Sequence, residues 1–172
     1  MVRNMLRKKL GKKGSLMDII YVATLLIFFG VSALIAYKVL GEINTEVASH
    51  TDIPTEAKTS TTAIEGMYPG VIDNTFLLLV VGLCIGALVL ASLVRVHPIF
   101  LVFYLILLPF VIFLCGALSN IYTAIADQPQ FATEASNLMF ISTVLTWLPF
   151  IVGIFGLVLA VIMYKLWSNA QI

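Results

Sequence analysis

The chain has 172 residues, 60% of them apolar and 11% charged, and its mean hydropathy is +1.05. Soluble domains sit near about 45–50% apolar and about 25% charged, so a water-soluble globule is excluded: too few polar side chains exist to cover its surface. The net charge of +1 selects no partner. Two cysteines, Cys84 and Cys115, both inside apolar runs, do not make a secreted disulfide framework.

Residues 1–15 form a basic tail carrying Arg3, Arg7, Lys8, Lys9, Lys12 and Lys13, with Val2, Met5, Leu6 and Leu10 on one helical face. Such a segment can lie on an anionic membrane surface or neutralise nucleic-acid phosphates. Its simplest role is to set topology. The first apolar run, 16–40, is too long for a typical signal-peptide core, and no small-x-small cleavage site follows it. It reads as a retained signal-anchor helix. Gly14-Ser15 after Lys12-Lys13 resembles a type IV pilin cleavage site, but Ile19 stands where that pattern wants Glu.

Residues 41–74 read as a long polar outer loop, with the cluster Lys58-Thr59-Ser60-Thr61-Thr62 inside it. Three more apolar runs follow, at 75–94, 99–118 and 138–164. Each run is about 20 residues or longer, enough at about 1.5 Å per residue to cross about 30 Å of hydrocarbon. None alternates strictly, as barrel strands would. Arg95-Val96-His97-Pro98 is a tight turn, so the second and third helices should form an antiparallel hairpin. Pro98 suits the first turn of a helix. Residues 119–137, with Asp127, Pro129 and Glu134, read as a second outer loop, and 165–172 as an inner tail. The expected fold is an all-α integral membrane protein of four transmembrane helices in one domain, 1–172.

Charge orients this plan. Arg3, Arg7, Lys8, Lys9, Lys12, Lys13, Arg95 and Lys165 fall on one side. Glu42, Glu46, Asp52, Glu56, Glu65, Asp73, Asp127 and Glu134 fall on the other, and of the acids only Asp18 breaks the separation. The positive-inside rule puts both termini and the 95–98 turn inside. The membrane expected is a cell inner or plasma membrane, or the internal membrane of a virion.

Few residues invite a specific role. Gly82 and Gly86 make a GxxxG pattern, and Ala87 and Ala91 repeat its spacing. Small residues four apart let helices approach closely in lipid; packing within the chain is expected ahead of dimerisation. Gly153 and Gly156 offer the same in the fourth run. Pro109 and Pro149 sit mid-span and should kink their helices, as packing features or hinges. Cys84 and Cys115 are offset by roughly 9 Å in depth, beyond disulfide reach. His50 and His97 are isolated, with too few companions for a metal. Ser142, Thr143 and Thr146 beside Trp147 can line a shallow cavity, though interhelical hydrogen bonding is the simpler account.

No catalytic, cofactor-binding or metal-binding pattern stands out. Asp18 and Lys38 lie near the ends of the first run, where snorkelling is cheap. Relays, carriers, hydrolases and redox enzymes need ionisable groups, a nucleophile with its base, or metal ligands. The plan of four helices with a longer first loop is similar to that of claudin-like proteins, but this loop lacks that family's paired cysteines and tryptophan-rich motif. The expected function is therefore non-enzymatic: a structural or accessory membrane subunit of a larger assembly. That assembly is a lipid-containing virion or a respiratory or transport complex. Its partners would be the bilayer, other protein subunits, and anionic lipid or nucleic acid at the basic tail. The alternative is an oligomeric pore or holin-like permeabilising protein. An enzyme sharing its site with a partner ranks last.

Overall fold

The computed structural model describes residues 16–93 and 98–169. Its elements are all helices: α1 Leu16–Ser49, α2 Thr55–Leu93, α3 Pro98–Ala126, α4 Ala132–Asn137, α5 Met139–Thr146 and α6 Leu148–Asn169. Four of them, α1, α2, α3 and α6, hold stretches long and apolar enough to cross a membrane, as a multi-pass membrane protein requires. A helix satisfies its own backbone polar groups where no water can. The basic tail residues Arg3 to Lys13, and Arg95 and His97 of the expected turn, lie outside the described residues.

The first outer loop needs correcting. α1 has 34 residues and α2 has 39, about 51 and 58 Å of helix, well over the roughly 30 Å of hydrocarbon. The excess is the segment read as a loop, and only residues 50–54 form a turn. The two helices pair along positions three or four residues apart. Tyr37, Gly41, Asn44 and Val47 on α1, and Thr61, Glu65, Tyr68, Ile72 and Phe76 on α2, are buried or half-buried. That spacing is a helix–helix seam. Tyr37 stacks on Tyr68 with ring centroids 5.5 Å apart. Asn44 donates to the Glu65 carboxylate, and Thr62 Oγ1 donates to Asn44 Oδ1 at 3.0 Å. Gly41 keeps the helices close, since a Cβ there would meet Glu65 Oε1 at 3.3 Å.

The hydroxyl-rich cluster does not break α2. Thr59, Ser60 and Thr61 each donate to the carbonyl four residues back, at 2.8–2.9 Å, and Thr62 shares its one proton between Asn44 Oδ1 and the Lys58 carbonyl, both at 3.0 Å. This back-bonding satisfies the hydroxyls inside the helix. Lys58 reaches across the turn and donates to the Ala48 carbonyl at 3.1 Å, near the end of α1. It thereby occupies one of the carbonyls that a helix C-terminus leaves open.

The long helices form a ring. α1 packs on α2 and α3, α3 packs most extensively on α6, and α6 closes against α2. The turn expected at 95–98 lies almost wholly outside the described residues. On either side of it, α2 and α3 find their principal neighbours in α1, α5 and α6. The short α5 sits within one end of the ring and touches all four long helices. Around it lies the core: Leu34, Phe76, Tyr122, Leu138, Ile141 and Leu145 are all fully buried. Phe76 stacks on Phe29 and meets Phe140 edge-on.

The fourth apolar run is therefore two helices. The break falls at Trp147, with φ −94° and ψ 13°. Pro149 has no N–H, so the Leu145 carbonyl loses its helical donor. The next carbonyl, of Thr146, accepts from Ser119 Oγ at 2.7 Å. Pro109 and Pro69, by contrast, lie inside helices that run on.

α5 comes closest to α1 at Gly30. A Cβ there would clash with Leu145 Cδ1 and lie 3.2 Å from Ile141 Cγ2. Both side chains are fully buried and have nowhere to go. Gly30→Ala should lower stability by about 1–3 kcal/mol, seen as a reduced Tm in detergent. Gly70→Ala, with open space around its Cβ, should leave Tm unchanged or slightly raised.

Candidate functional site

The polar side chains of the described interior converge on α5. As a helix it starts with free backbone N–H groups, and Leu138 at its N-cap position has no acceptor to offer. The acceptor comes from α2. Asp73 Oδ2 accepts the Phe140 N–H, and Oδ1 accepts the Ile141 N–H, both at 2.8 Å. These are the second and third residues of α5, where a capping carboxylate ordinarily bonds and where helix polarity favours a negative charge.

α3 grips the other side. Ser142 Oγ donates to the Ala135 carbonyl at 2.8 Å, so its oxygen is left to accept from the buried Tyr122 hydroxyl at 2.9 Å. Ser119, one turn earlier on α3, holds the C-terminal end of α5 through Thr146. The short α4 is tied to α1: Asn137 Nδ2 donates to Tyr37 Oη at 3.2 Å, and Lys38 Nζ lies 3.5 Å from Glu134 Oε1. Among the described residues no buried side-chain nitrogen or oxygen lacks a partner. Both Asp73 oxygens are engaged by backbone, so the cluster works as a lock on α5.

The sequence-singled residues divide sharply. A Cβ at Gly82 or Gly86 would meet nothing within 4 Å. No other described part of the chain packs against this pair. α2 turns Phe76, Leu79 and Val80 toward the core, while Gly82 and Gly86 are exposed. Ala87 is half-buried and Ala91 buried. The α6 glycines do make close approaches. A Cβ at Gly156 would clash with Leu108 Cδ1, and one at Gly153 would sit 3.4 Å from Ile112 Cδ1. Tyr104 Oη donates to the Gly156 carbonyl at 3.0 Å, fixing α3 to α6. Cys84 and Cys115 are free thiols. His50, just past the end of α1, pairs with Glu46 of that helix at 3.1 Å. Among the described residues no group of His, Cys, Asp or Glu side chains is placed to hold a metal ion.

Sequence reasoning missed Asp73, Tyr122 and Ser119 as partners of α5. A usable signal existed. Each is a polar residue at the edge of an apolar run, where an unpaired group is expensive. Of the Trp147 strip, Ser142 makes the interhelical bond expected, whereas Thr143 Oγ1 donates within its own helix to the Met139 carbonyl.

No protein-family model, curated protein or solved structure matches this chain.

Asp73→Ala removes both acceptors at once. It should cost about 2 kcal/mol, the range of a lost cap or of a charged hydrogen bond. Chemical or thermal unfolding in one detergent, wild type against variant, measures it.

Proposed function

We propose that this protein is a non-enzymatic structural or accessory subunit of a larger membrane assembly. One observation carries the reading: α2 leaves a continuous face uncovered from the hairpin down into the apolar span. Ile64, Met67, Val71 and Leu78 are 56–73% exposed, and their spacing puts them on one side of the helix. Gly82 and Ile85 continue that side, with Gly86 adjoining.

Length makes this face unusual. About 30 Å of the helix fits in hydrocarbon, so the part carrying Ile64, Met67 and Val71 stands beyond it. Lipid does not cover apolar side chains there. A helix of another subunit, lying along α2, buries the upper apolar residues and approaches closely at Gly82 and Gly86. The virion protein and the small subunit of a membrane complex are the two versions of this reading.

The charge pattern gives the orientation. Residues 41–74 hold six acids against the single Lys58, whereas the N-terminal tail and Lys165 are basic. By the positive-inside rule the hairpin faces outward and both termini face the cytoplasm or virion interior. The basic tail then meets anionic lipid or nucleic acid. A pore would instead need the Ser142 strip to face a lumen, yet the Ser142 hydroxyl is already engaged by Tyr122 and Ala135.

Purification from the native membrane in mild detergent, followed by mass spectrometry, tests the proposal. A stoichiometric partner is expected. The pair Met67→Glu and Val71→Glu should cut its recovery about tenfold, the weight of a small interface hot spot. Recovery of a homo-oligomer with nothing bound would overturn the reading.

A further inference from the structure

The helix break at Trp147 opens a groove on the outside of the ring, between α3 and the α5–α6 junction. Its volume is about 550 Å³, and Phe113, Gly116, Asn120, Thr146, Trp147 and Phe150 line it. That size falls in the range of ligand pockets. Gly116 makes the recess: a Cβ there would meet nothing within 4 Å. Trp147 and Phe150 form one wall, with ring centroids 5.4 Å apart.

The groove is apolar except at one end. The Asn120 carboxamide and the Thr146 hydroxyl stand there, both exposed, and neither side chain bonds to any described residue; the side-chain bonds made at these two residues go to their backbone carbonyls. Depth explains the pairing of apolar wall and polar end. Helix rise from Pro98 to Asn120 is about 33 Å, and from Lys165 to Trp147 about 27 Å. Both are close to one hydrocarbon thickness. The polar end therefore lies at the membrane interface, where Trp is favoured, and the apolar end at Phe113 lies about 10 Å deeper.

We infer that this groove is a lipid site. One acyl chain of a glycerophospholipid lies over Gly116 between Phe113 and Phe150. At the interface its ester carbonyl accepts from Asn120 Nδ2 and Thr146 Oγ1. A partner's helix would have to bring a carbonyl or side-chain acceptor to Asn120 and Thr146 at this depth. The ester region of a phospholipid offers that acceptor at the required depth. Boundary lipid resting on bare apolar walls meets no such donor for its ester region, so the polar contact is what separates a site from a surface.

The test uses the purified full chain reconstituted in palmitoyl-oleoyl phosphatidylcholine vesicles. The protein is then extracted into dodecyl maltoside and the lipid retained per chain is counted by native mass spectrometry. One phospholipid per chain is expected. Gly116→Leu fills the recess and should reduce retention at least about tenfold, as a steric block does; Asn120→Leu should reduce it about fivefold, the weight of one net hydrogen bond. Gly70→Ala, in open space on α2, should retain lipid like wild type. Should Gly116→Leu fail to fold, Asn120→Leu alone decides, since that side chain is exposed and bears no fold contact. No phospholipid retained by wild type, or retention unchanged in the variants that fold, would overturn the site. So would a groove found filled by another polypeptide in the native complex, with lipid absent.

Discussion

Two hydrogen bonds to one carboxylate organise this structure. α5 has eight residues, too few to persist as a helix on its own in water, and inside a bundle its first N–H groups have no water to turn to. Asp73 supplies both acceptors from a helix 67 residues back in the chain. With its start fixed, α5 delivers Ile141 and Leu145 into the middle of the ring and Ser142 to Tyr122. Phe140 meets Phe76, which in turn stacks on Phe29 of α1. The packing of α1 and α2 below the hairpin thus depends on where α5 begins. Gly30 is the counterpart constraint on the other side: only a residue without a side chain leaves room for Leu145.

A second constraint is length. α1 and α2 cannot be accommodated in hydrocarbon, so they continue as a paired hairpin with a seam of mixed character. Near the core the seam is aromatic, Tyr37 on Tyr68. Farther out it becomes polar, with Asn44, Glu65 and Thr62 bonded together. A polar seam of this kind specifies one register more than it adds stability. The result is a projecting platform whose inner side is spent on itself and whose outer side, along α2, carries exposed Ile64, Met67 and Val71. The same division recurs lower down: α2 turns Phe76, Leu79 and Val80 inward and leaves Gly82 and Gly86 bare.

The four membrane-long helices were legible in the sequence because lipid permits so little else. A run of about 20 apolar residues has one way to satisfy its backbone. The hairpin was illegible for a specific reason. Its seam uses Gly41, Asn44, Thr61 and Glu65 at helical spacing, so a search for apolar periodicity sees only a polar loop. Pro149 was legible as a disturbance, but the split into α5 and α6 depends on Ser119 taking up the Thr146 carbonyl, a contact made across 27 residues. The GxxxG pattern was legible as a face, and what lies against it was not. Spacing alone does not say which side of α2 the rest of the chain will use. Asp73 reads in the sequence as a charge that sets orientation; that it caps α5 follows only from α2 passing the start of a helix 67 residues later.

Amide hydrogen exchange, read by mass spectrometry on the protein in lipid nanodiscs, tests the central role of Asp73 most directly. Wild type and Asp73→Asn are compared over peptides covering residues 139–146. The account predicts strong protection of this segment in wild type. In the variant, exchange there and at the facing stretch of α1 around Gly30 should be faster, while the α3–α6 pair around Tyr104 and Gly156 stays protected. Equal protection of 139–146 in the two proteins would contradict the account, because α5 would then be held by its apolar side chains alone.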